Sequence, residues 1–373
     1  MKKLFLVLLI LAVAGLSFAQ DLIGIAMPET HVLRWQKDGE SLRQEAVKRG
    51  YRAQVQFGNA DQNQQNQQVS AFLTGGAKLL VIGSINNGVG SVVREAATAR
   101  VPVIAYDRII QMSTDYDYYV TFNNYKVGTL QGQSIVDGLN LNAASSANPK
   151  YITLFAGSPT DANANFFFDG AMDVLRPHIT RGALRVVGPN PANSADRNNF
   201  LRITTENWFP NIAKARMENL LNNDAGGTMV LDAVLAPNDT LARAIFQALK
   251  ADRRYKNKVV IISGQDAEFE SMMAIKRGEQ YSTVFKDTAK LAEAAMVLAD
   301  QILKRQTISI PGAVLAGTAG TPRDIGQVNL ANPAAGKFVQ AYLLDPVLIT
   351  KNNLAVPVNA GFYTKAQGTQ ITK

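Results

Sequence analysis

The sequence predicts an α/β protein of two doubly wound parallel-sheet lobes, and three observations support this prediction. The chain has 373 residues, whereas single hydrophobic cores stop growing at about 250 to 300 residues. Short runs rich in β-branched residues alternate with amphipathic stretches of helical length, a pattern typical of parallel sheets covered by helices. The same order of strand, loop and helix recurs in the second half of the chain, which indicates a second lobe of the same kind.

The first half of the chain contains two predicted helices between predicted strands. The helices are Leu42–Arg49, ended by Gly50, and Ser91–Arg100, ended before Pro102, since both residue types stop helices. The strands are Leu22–Met27, Ala53–Phe57, Leu79–Gly83, Pro102–Asp107 and Tyr118–Phe122.

The second half contains a similar set of elements. Its predicted strands are Tyr151–Ala156, Leu184–Val187, Ala233–Ala236, Val259–Ser263 and Gln280–Val284. Its predicted helices are carried by Ala171–Leu175, Ala213–Leu221 and Leu241–Ala251. Two such sheets that face each other across their strand ends form a cleft, where folds of this class bind ligands.

The first residues have the features of a secretory signal peptide, which we predict over 1–19. Lys2 and Lys3 precede an apolar run, Leu4–Ala14, and Ser17-Phe18-Ala19 follows it. This run is shorter than the about 20 residues that a membrane span needs. We therefore expect cleavage and export, and an uncleaved anchor is the alternative.

Composition limits the compartment and the partners. Cysteine is absent, which excludes lipid attachment at a cysteine, disulfides and thiolate metal sites. We expect the exported chain to be periplasmic. The formal net charge of +8 is modest, and the basic residues are interleaved with acidic and apolar ones. They are interpreted as solvated faces, so no nucleic-acid partner is expected.

Polar and aromatic residues follow the predicted strands in both halves of the chain. Because ligands of doubly wound sheets bind at strand ends, these residues are the candidate ligand-binding set. They are Arg34, Trp35, Asp107, Arg108, Asn163, Asn165, Trp208, Asn238, Asp266 and Lys286.

These residue types suit a small sugar, whose hydroxyls donate and accept hydrogen bonds and whose ring oxygen only accepts. Aspartate accepts from neighbouring hydroxyls, arginine donates in a fork, and asparagine does both. Trp35 and Trp208, the only tryptophans, are candidates to stack on the C–H face of the ring. Secondary candidates for that role are Phe166, Phe167 and Phe168.

A purely structural role is the alternative for each candidate. Such roles are helix capping for Asn163, Asp239 and Asp266, a surface position for Arg34 and Lys286, and core packing for the aromatic residues. The joint pattern across both halves favours ligand binding.

An enzyme is the competing hypothesis, because two of Asp107, Asp239 and Asp266 could form the acid/base pair of a glycosidase. The basic candidate residues nearby favour ionised carboxylates over a protonated acid. The sequence has no hydrolase elbow, dinucleotide fingerprint or phosphate loop. His31 and His178 are isolated, so no metal or other cofactor is expected.

Six short motifs occur in order along the chain. They are Arg34-Trp35-Gln36-Lys37-Asp38, Ala105-Tyr106-Asp107-Arg108, Gly157-Ser158-Pro159, Asn207-Trp208-Phe209-Pro210, Ser263-Gly264-Gln265-Asp266 and Val284-Phe285-Lys286. In this order they resemble the bacterial periplasmic xylose-binding proteins and their relatives that bind several aldoses. The resemblance extends from Leu22 to about Lys365.

This resemblance implies the type I periplasmic binding protein fold, with three hinge crossovers between the lobes. We expect the N-terminal lobe at 20–126 and 288–325, and the C-terminal lobe at 127–287 and 326–373. The resemblance also implies that a sugar is clamped by Arg34, Asp107, Arg108, Asn163, Trp208, Asn238, Asp266 and Lys286.

The chain departs from the relatives in two places. Asn165 stands where the xylose-binding relatives have a lysine, so the resemblance does not identify the sugar. The segment Ala313–Lys337, rich in glycine, alanine and proline, is longer than in those relatives, and we expect a surface loop there.

The sequence and the resemblance together predict a periplasmic binding protein, not an enzyme. It is expected to capture an aldopyranose such as xylose, glucose, galactose or arabinose by hinge closure. The expected partners are an ABC permease and its ATPase in the inner membrane, with a chemoreceptor as a second candidate, and the protein is expected to be a monomer. The alternatives are a sugar sensor that presents its ligand to a membrane receptor and a sugar-processing enzyme.

Overall fold

The structure of the protein is a computed structural model that describes residues 20–110, 113, 115–223, 230–310, 314–316 and 339–373. The predicted signal peptide, 1–19, lies outside the described residues. So does the predicted insertion Ala313–Lys337, apart from a strand at 314–316.

Strands of the described residues match the sequence prediction closely. They are β1 Leu22–Met27, β2 Arg52–Phe57, β3 Leu79–Ile82, β4 Val103–Tyr106, β5 Tyr118–Phe122, β6 Lys150–Leu154, β7 Leu184–Val186, β8 Ala233–Leu235, β9 Ile261–Ile262, β10 Ser282–Phe285, β11 Val314–Ala316, β12 Gln340–Leu344 and β13 Val347–Thr350. Every predicted strand overlaps an observed one, whereas β11, β12 and β13 had no prediction.

Helices alternate with these strands along most of the chain. They are α1 Arg34–Lys48, α2 Gln62–Thr74, α3 Gly90–Thr98, α4 Asn124–Gly138, α5 Ala162–Thr180, α6 Arg197–Phe200, α7 Pro210–Asn223, α8 Asp239–Ala251, α9 Phe269–Arg277, α10 Thr288–Leu303, α11 Ala355–Asn359 and α12 Lys365–Thr372. The side chains of Asp61, Asn123 and Asp161 each accept a hydrogen bond from a backbone N–H in the first turn of the helix that follows. Such caps satisfy donors that a helix leaves unpaired. No described helix combines the length and apolar character that crossing a membrane requires.

The first sheet forms the core of the N-terminal lobe. Within the described residues it has seven strands in the order β11-β12-β5-β4-β3-β1-β2. Neighbours from β12 to β2 are parallel, and β11 pairs antiparallel with β12. β1, β3 and β4 are buried along their whole length, as expected where helices cover both faces of a parallel sheet.

The second sheet forms the core of the C-terminal lobe. Its described strands are parallel in the order β7-β6-β8-β9. β10 and β13 form an antiparallel pair, and a bridge between Gln265 and Val284 joins β10 to the chain that leaves β9. The prediction of two α/β lobes with parallel sheets is therefore confirmed.

The described chain passes between the lobes three times. The first crossover is at Asn123, between β5 and α4, and α4 packs on α5 and on strands of the second lobe. The second is at Lys286-Asp287, before α10, which packs on α1. The third is at Asp345-Pro346, between β12 and β13. These passages are the predicted hinge crossovers.

One predicted lobe boundary is wrong. The expected assignment of all of 326–373 to the C-terminal lobe fails because β12 belongs to the first sheet, where it pairs in parallel with β5 from Gln340↔Tyr118 to Leu344↔Phe122. The chain enters the second lobe only after Asp345-Pro346. A hydrophobic pattern reports which residues are buried, and it does not report which sheet a strand joins.

α4 and α5 pack against each other with backbone in close contact. A Cβ atom placed on Gly128 would lie 1.9 Å from the carbonyl oxygen of Phe167, and one on Gly170 would lie 2.1 Å from that of Tyr125. Glycine at these positions lets the two helices approach. Since Asn163 lies in the first turn of α5, this packing also fixes a candidate site residue.

Replacing Gly128 by alanine should destabilise the protein. The added methyl group has no room and forces the two helices apart, which we expect to cost about 1 to 3 kcal/mol of unfolding free energy. Thermal unfolding of Gly128→Ala measures this. The control is Gly90→Ala, where the new methyl group would meet Ser113 Cβ at 3.7 Å. Equal melting temperatures for the two variants would contradict the packing argument.

Candidate functional site

The strand ends of both lobes face one cleft, and most of the predicted site residues meet there. They line a small cavity of about 20 Å³. The residues of this lining are Val32, Arg34, Trp35, Asp107, Arg108, Asp161, Asn163, Phe167, Trp208, Asn238, Gln265, Asp266 and Lys286. The lining thus contains every candidate residue except Asn165.

The prediction that Asn165 belongs to the site is not supported by its position. Its side chain is half-buried outside the cavity lining, and its Oδ1 accepts a hydrogen bond from Arg197 at 3.4 Å. Residues two apart on an α-helix point about 200° apart around the axis. Because Asn163 faces the cleft, Asn165 faces away from it.

Sequence reasoning missed three residues of the lining. Val32, Asp161 and Gln265 were not candidates, and Phe167 was held only in reserve. Asp161 and Gln265 both follow strands, so the strand-end rule covered them in principle. Asp161 also caps α5 through the backbone N–H of Asn163, which shows that a capping residue can serve a site as well.

Arg34 is the centre of the charge cluster in the N-terminal lobe. Its Nη1 lies 2.7 Å from Asp107 Oδ2, and its Nε donates to Asp38 Oδ2 at 2.8 Å. The hydroxyl of Tyr106 donates to the other oxygen of Asp38 at 2.6 Å. The Arg34 side chain is 4% exposed and that of Asp38 is 0% exposed, so the pair is held almost entirely away from water.

Arg108 has a second set of partners in the same lobe. Its Nη2 donates to Glu29 Oε1 at 2.7 Å, and its Nη1 lies 3.3 Å from the carbonyl oxygen of Ser84. The indole Nε1 of Trp35 donates to the same Glu29 oxygen at 3.1 Å. Glu29 therefore orients both a guanidinium group and an aromatic ring toward the cleft.

The C-terminal lobe contributes an ion pair and two amides. Lys286 Nζ lies 2.9 Å from Asp266 Oδ1, and both side chains are buried. Asn238 caps α8 by accepting from the backbone N–H of Leu241 at 2.9 Å, so its amide nitrogen stays available. Asn163 Oδ1 accepts from Asn124 at 2.9 Å.

Several contacts join the two lobes inside the cleft. Arg108 Nε lies 2.8 Å from Asp161 Oδ2, and Arg34 Nη1 lies 3.8 Å from Asp266 Oδ1. Asn163 donates to the carbonyl oxygen of Asp107 at 3.0 Å. In this closed arrangement the charges of one lobe are paired with those of the other.

The positive charges control the protonation of Asp107. Burial alone would raise the pKa of this carboxyl, but Arg34, Lys286 and Arg108 together hold its pKa below the ordinary value. The pKa of Asp161 is instead raised, because burial outweighs the attraction of Arg108. Asp107 is therefore a carboxylate, which only accepts hydrogen bonds.

Five buried polar atoms of the lining have no hydrogen-bond partner among the described residues. Three of them, Asp107 Oδ2, Arg108 Nε and Asp266 Oδ1, lie in ion pairs, which leaves two. These are Arg34 Nη2, a donor, and Gln265 Oε1, an acceptor. A buried polar group without a partner costs about 1 to 3 kcal/mol. A ligand that both donates and accepts hydrogen bonds would satisfy both atoms.

Aromatic rings border the cavity on both sides. The guanidinium groups of Arg34 and Arg108 lie 4.7 Å and 5.0 Å from the ring centre of Trp35. Trp208 Nε1 donates to Asp161 at 3.2 Å, and the ring of Phe167 meets Trp208 edge-on at 6.5 Å. Each lobe thus presents one indole ring held by hydrogen bonds and ring contacts.

Three site residues have an unusual backbone conformation. Asp107, Trp208 and Asp266 have φ angles of 60°, 57° and 93°, in the left-handed region that non-glycine residues disfavour. Such conformations persist where surrounding contacts enforce them, and they cluster at functional sites. The turns after β4 and β9 thereby aim one carboxylate from each lobe at the cleft.

A larger cavity, of about 710 Å³, lies where the three crossovers meet. Phe122, Phe285 and Leu344 line it at the ends of the strands that precede the crossovers. Two charged residues of its lining, Lys290 and Asp345, have side chains that are each 70% exposed, whereas Asp287 is buried and accepts from the backbone N–H of Lys290 in the first turn of α10. Buried polar groups from both lobes converge in the cleft instead, so the cleft is the candidate ligand site.

Asp239, a candidate for a glycosidase pair, is not in the cavity lining. Its carboxylate accepts from Gln280 Nε2 at 2.8 Å, from Thr283 Oγ1 at 2.9 Å and from the backbone N–H of Glu268 at 2.9 Å. Burial, aided by repulsion from Glu268, raises its pKa well above the ordinary value. The role of Asp239 is therefore structural, because its carboxylate connects three segments near strand ends within the C-terminal lobe.

The geometry agrees with comparisons to known proteins. A family model described as "Periplasmic binding protein domain" matches residues 23–307. The chain belongs to this family.

Individual relatives of this periplasmic binding protein match almost its whole length. It is 39% identical over 355 residues to the multiple sugar-binding periplasmic receptor ChvE of Rhizobium radiobacter, covering 94% of this chain and 93% of the relative. It is 32% identical over 349 residues to the D-xylose-binding periplasmic protein of Escherichia coli K12, covering 92% of each.

A solved structure shares the fold. It is an ABC transporter solute-binding protein from Clostridium phytofermentans with bound β-D-glucose, which aligns with a TM-score of 0.81 at 33% identity over 93% of this chain and 99% of that one. The expected type I fold is therefore confirmed.

The lowered pKa of Asp107 predicts an acid-dependent loss of stability in this binding protein. The folded protein favours the carboxylate, so it gains stability above the ordinary pKa of about 3.9 and loses it as the pH falls through the lower folded-state value. We expect the parent to lose more unfolding free energy than Asp107→Asn between about pH 5 and about pH 2. Chemical unfolding at several pH values measures this, and equal losses would contradict the assignment.

Proposed function

We propose that this protein captures a monosaccharide between its lobes in the periplasm and delivers it to an ABC importer. The sugar is an aldopyranose such as xylose, glucose, galactose or arabinose. The observation that carries the proposal is the convergence of buried carboxylates, cations, amides and two indole rings from both lobes on one cleft. The names of the relatives, which include binders of several sugars and of D-xylose, support it.

The lining supplies what a sugar needs. Asp107 and Asp266 accept from hydroxyls, Arg34 and Lys286 donate, and Asn238 donates through its amide nitrogen. Charge-assisted hydrogen bonds are about twice as strong as neutral ones, which helps to offset the lost hydration of the sugar. The indole rings give apolar contact to the C–H faces of the ring.

The lobes must separate for the sugar to enter. The cavity of about 20 Å³ is far smaller than the about 300 to 1,000 Å³ of pockets that hold small ligands. Rotation at the three crossovers opens the cleft without disturbing either sheet. A sugar that contacts both lobes gains its full set of contacts only on closure, and it therefore shifts the equilibrium toward the closed form.

We infer that the protein binds its sugar without changing it. Glycoside chemistry needs a carboxylic acid that can give a proton to the substrate. Asp107 is held ionised by three cations. Asp161 has a raised pKa, but its carboxylate forms an ion pair with Arg108 and accepts from Trp208 Nε1 and from the backbone N–H of Asn163.

The partners follow from the two-lobed closed form. A membrane permease with its ATPase would recognise a surface made by both lobes. One chain contains both lobes, so a monomer is sufficient to form that surface. A signal peptide at 1–19 would deliver the chain to the periplasm. A sensory role is the second candidate, since one relative is called a receptor, and a chemoreceptor would then be a further partner.

Calorimetric titration of the chain from Gln20 onward with aldopentoses and aldohexoses tests the proposal. We expect one or more sugars to bind with a Kd near 1 μM, about −8 kcal/mol, and to be recovered unchanged by NMR. Lack of binding to every sugar would overturn the proposed ligand class, and an altered sugar would overturn the assignment as a non-enzyme.

Replacing Trp208 by alanine should weaken sugar binding by about 1 to 3 kcal/mol, through lost burial and lost ring contact. The control is Phe246→Ala, which truncates a half-buried ring on α8 of the same lobe, outside the cavity lining. Calorimetry of both variants with the same sugar measures the effect. Parental affinity in Trp208→Ala would show that the ring is only structural.

A further inference from the structure

His31 makes a contact that the site residues do not explain. It lies in the turn between β1 and α1 of the N-terminal lobe. Its Nε2 is 2.8 Å from the carbonyl oxygen of Asn207, so the ring nitrogen donates to that oxygen. Its ring centre is 4.7 Å from that of Phe209, with the ring planes 32° apart. Asn207 and Phe209 are the neighbours of Trp208 on either side.

Asn207 and Phe209 belong to the C-terminal lobe. Their turn is tied to that lobe by the N–H of Thr205, which donates to the carbonyl oxygen of Gly157 at 3.0 Å, and by the N–H of Asn207, which donates to Ser158 Oγ at 3.2 Å. The His31 contact therefore bridges the cleft, and it exists only while the lobes are together.

The turn that carries Trp208 has a backbone that needs support. Asn207 and Trp208 have φ angles of 47° and 57°, two successive residues in the disfavoured left-handed region. From inside the cleft, Trp208 Nε1 is held by Asp161, which pairs with Arg108 of the other lobe. From the rim, His31 holds the residues before and after Trp208.

We propose that His31 is a positioning residue, an interlobe latch that fixes the Trp208 turn in the closed form. It is outside the cavity lining, so it acts on the sugar through Trp208 and not by contact. The inference rests on the proposed function, because it concerns how long a captured sugar is retained. Its role differs from that of the clamp residues, which touch the ligand.

The latch has a kinetic signature. Since the contact is absent while the cleft is open, losing it should leave the encounter with the sugar unchanged and speed only the opening and release. A hydrogen bond to a backbone carbonyl and an aromatic contact are lost together in His31→Ala. We expect sugar dissociation to become roughly tenfold faster, with the association rate within about twofold of the parent.

Stopped-flow fluorescence with D-glucose and D-xylose separates these rates. Trp35 and Trp208 are the only tryptophans and both line the cavity, so the intrinsic signal reports on the site. The matched control is His178→Ala, which removes the other histidine. His178 lies on α5, and its Nδ1 contacts Arg181 just after that helix. This variant should keep the parental rates. His31→Gln offers an amide donor to the Asn207 oxygen and should recover part of the retention.

Three results would overturn the latch. Parental dissociation rates in His31→Ala would show that the contact has no effect on release. A lower melting temperature of the sugar-free variant, with both rates changed and no recovery in His31→Gln, would show a merely structural role. A parent that responds to neither sugar here and to none in the calorimetric panel contradicts the proposed function itself, and the latch with it.

Discussion

Burial of charge between the lobes is the constraint on which the rest of this structure depends. An ion taken out of water costs several kcal/mol unless partners surround it. Arg34 meets this demand with Asp38, Asp107 and, across the cleft, Asp266. The pairs of Arg108 with Glu29 and Asp161 do the same on the other side. Across the cleft, the guanidinium groups of the N-terminal lobe meet the carboxylates of Asp161 and Asp266 of the C-terminal lobe, which favours the closed arrangement.

A ligand that replaces part of this network must offer donors and acceptors in the same small space. Hydroxyl groups on a ring do so, and the unpartnered Arg34 Nη2 and Gln265 Oε1 mark where they are needed among the described residues. The opening that we propose takes place at the three crossovers, which lie outside the paired residues of both large sheets. At the rim, His31 connects closure to the position of Trp208, so the hinge, the clamp and the aromatic platform act together.

The sequence predicted the strands and most of the site because parallel sheets place their ligand groups at strand ends, where Asp107 and Asp266 are found. It failed where the outcome depends on rotation or pairing. Asn165 is two residues from Asn163 on the same helix, so its side chain points away from the cleft. Reasoning from strand ends does not take this direction around the helix axis into account. β12 looks like any buried strand, and only its pairing with β5 places it in the first lobe. Asp161 both caps α5 and lines the cavity, and a capping position in the sequence does not show that its residue also faces a cleft.

The most direct test of this account is a crystal structure of the protein with the aldose that binds most tightly. We expect the sugar in the cleft, with hydroxyl oxygens about 2.5 to 3.2 Å from the carboxylates of Asp107 and Asp266, one from each lobe. A sugar held by one lobe alone, or bound in the cavity at the crossovers, would contradict the claim that paired charges from both lobes form the site.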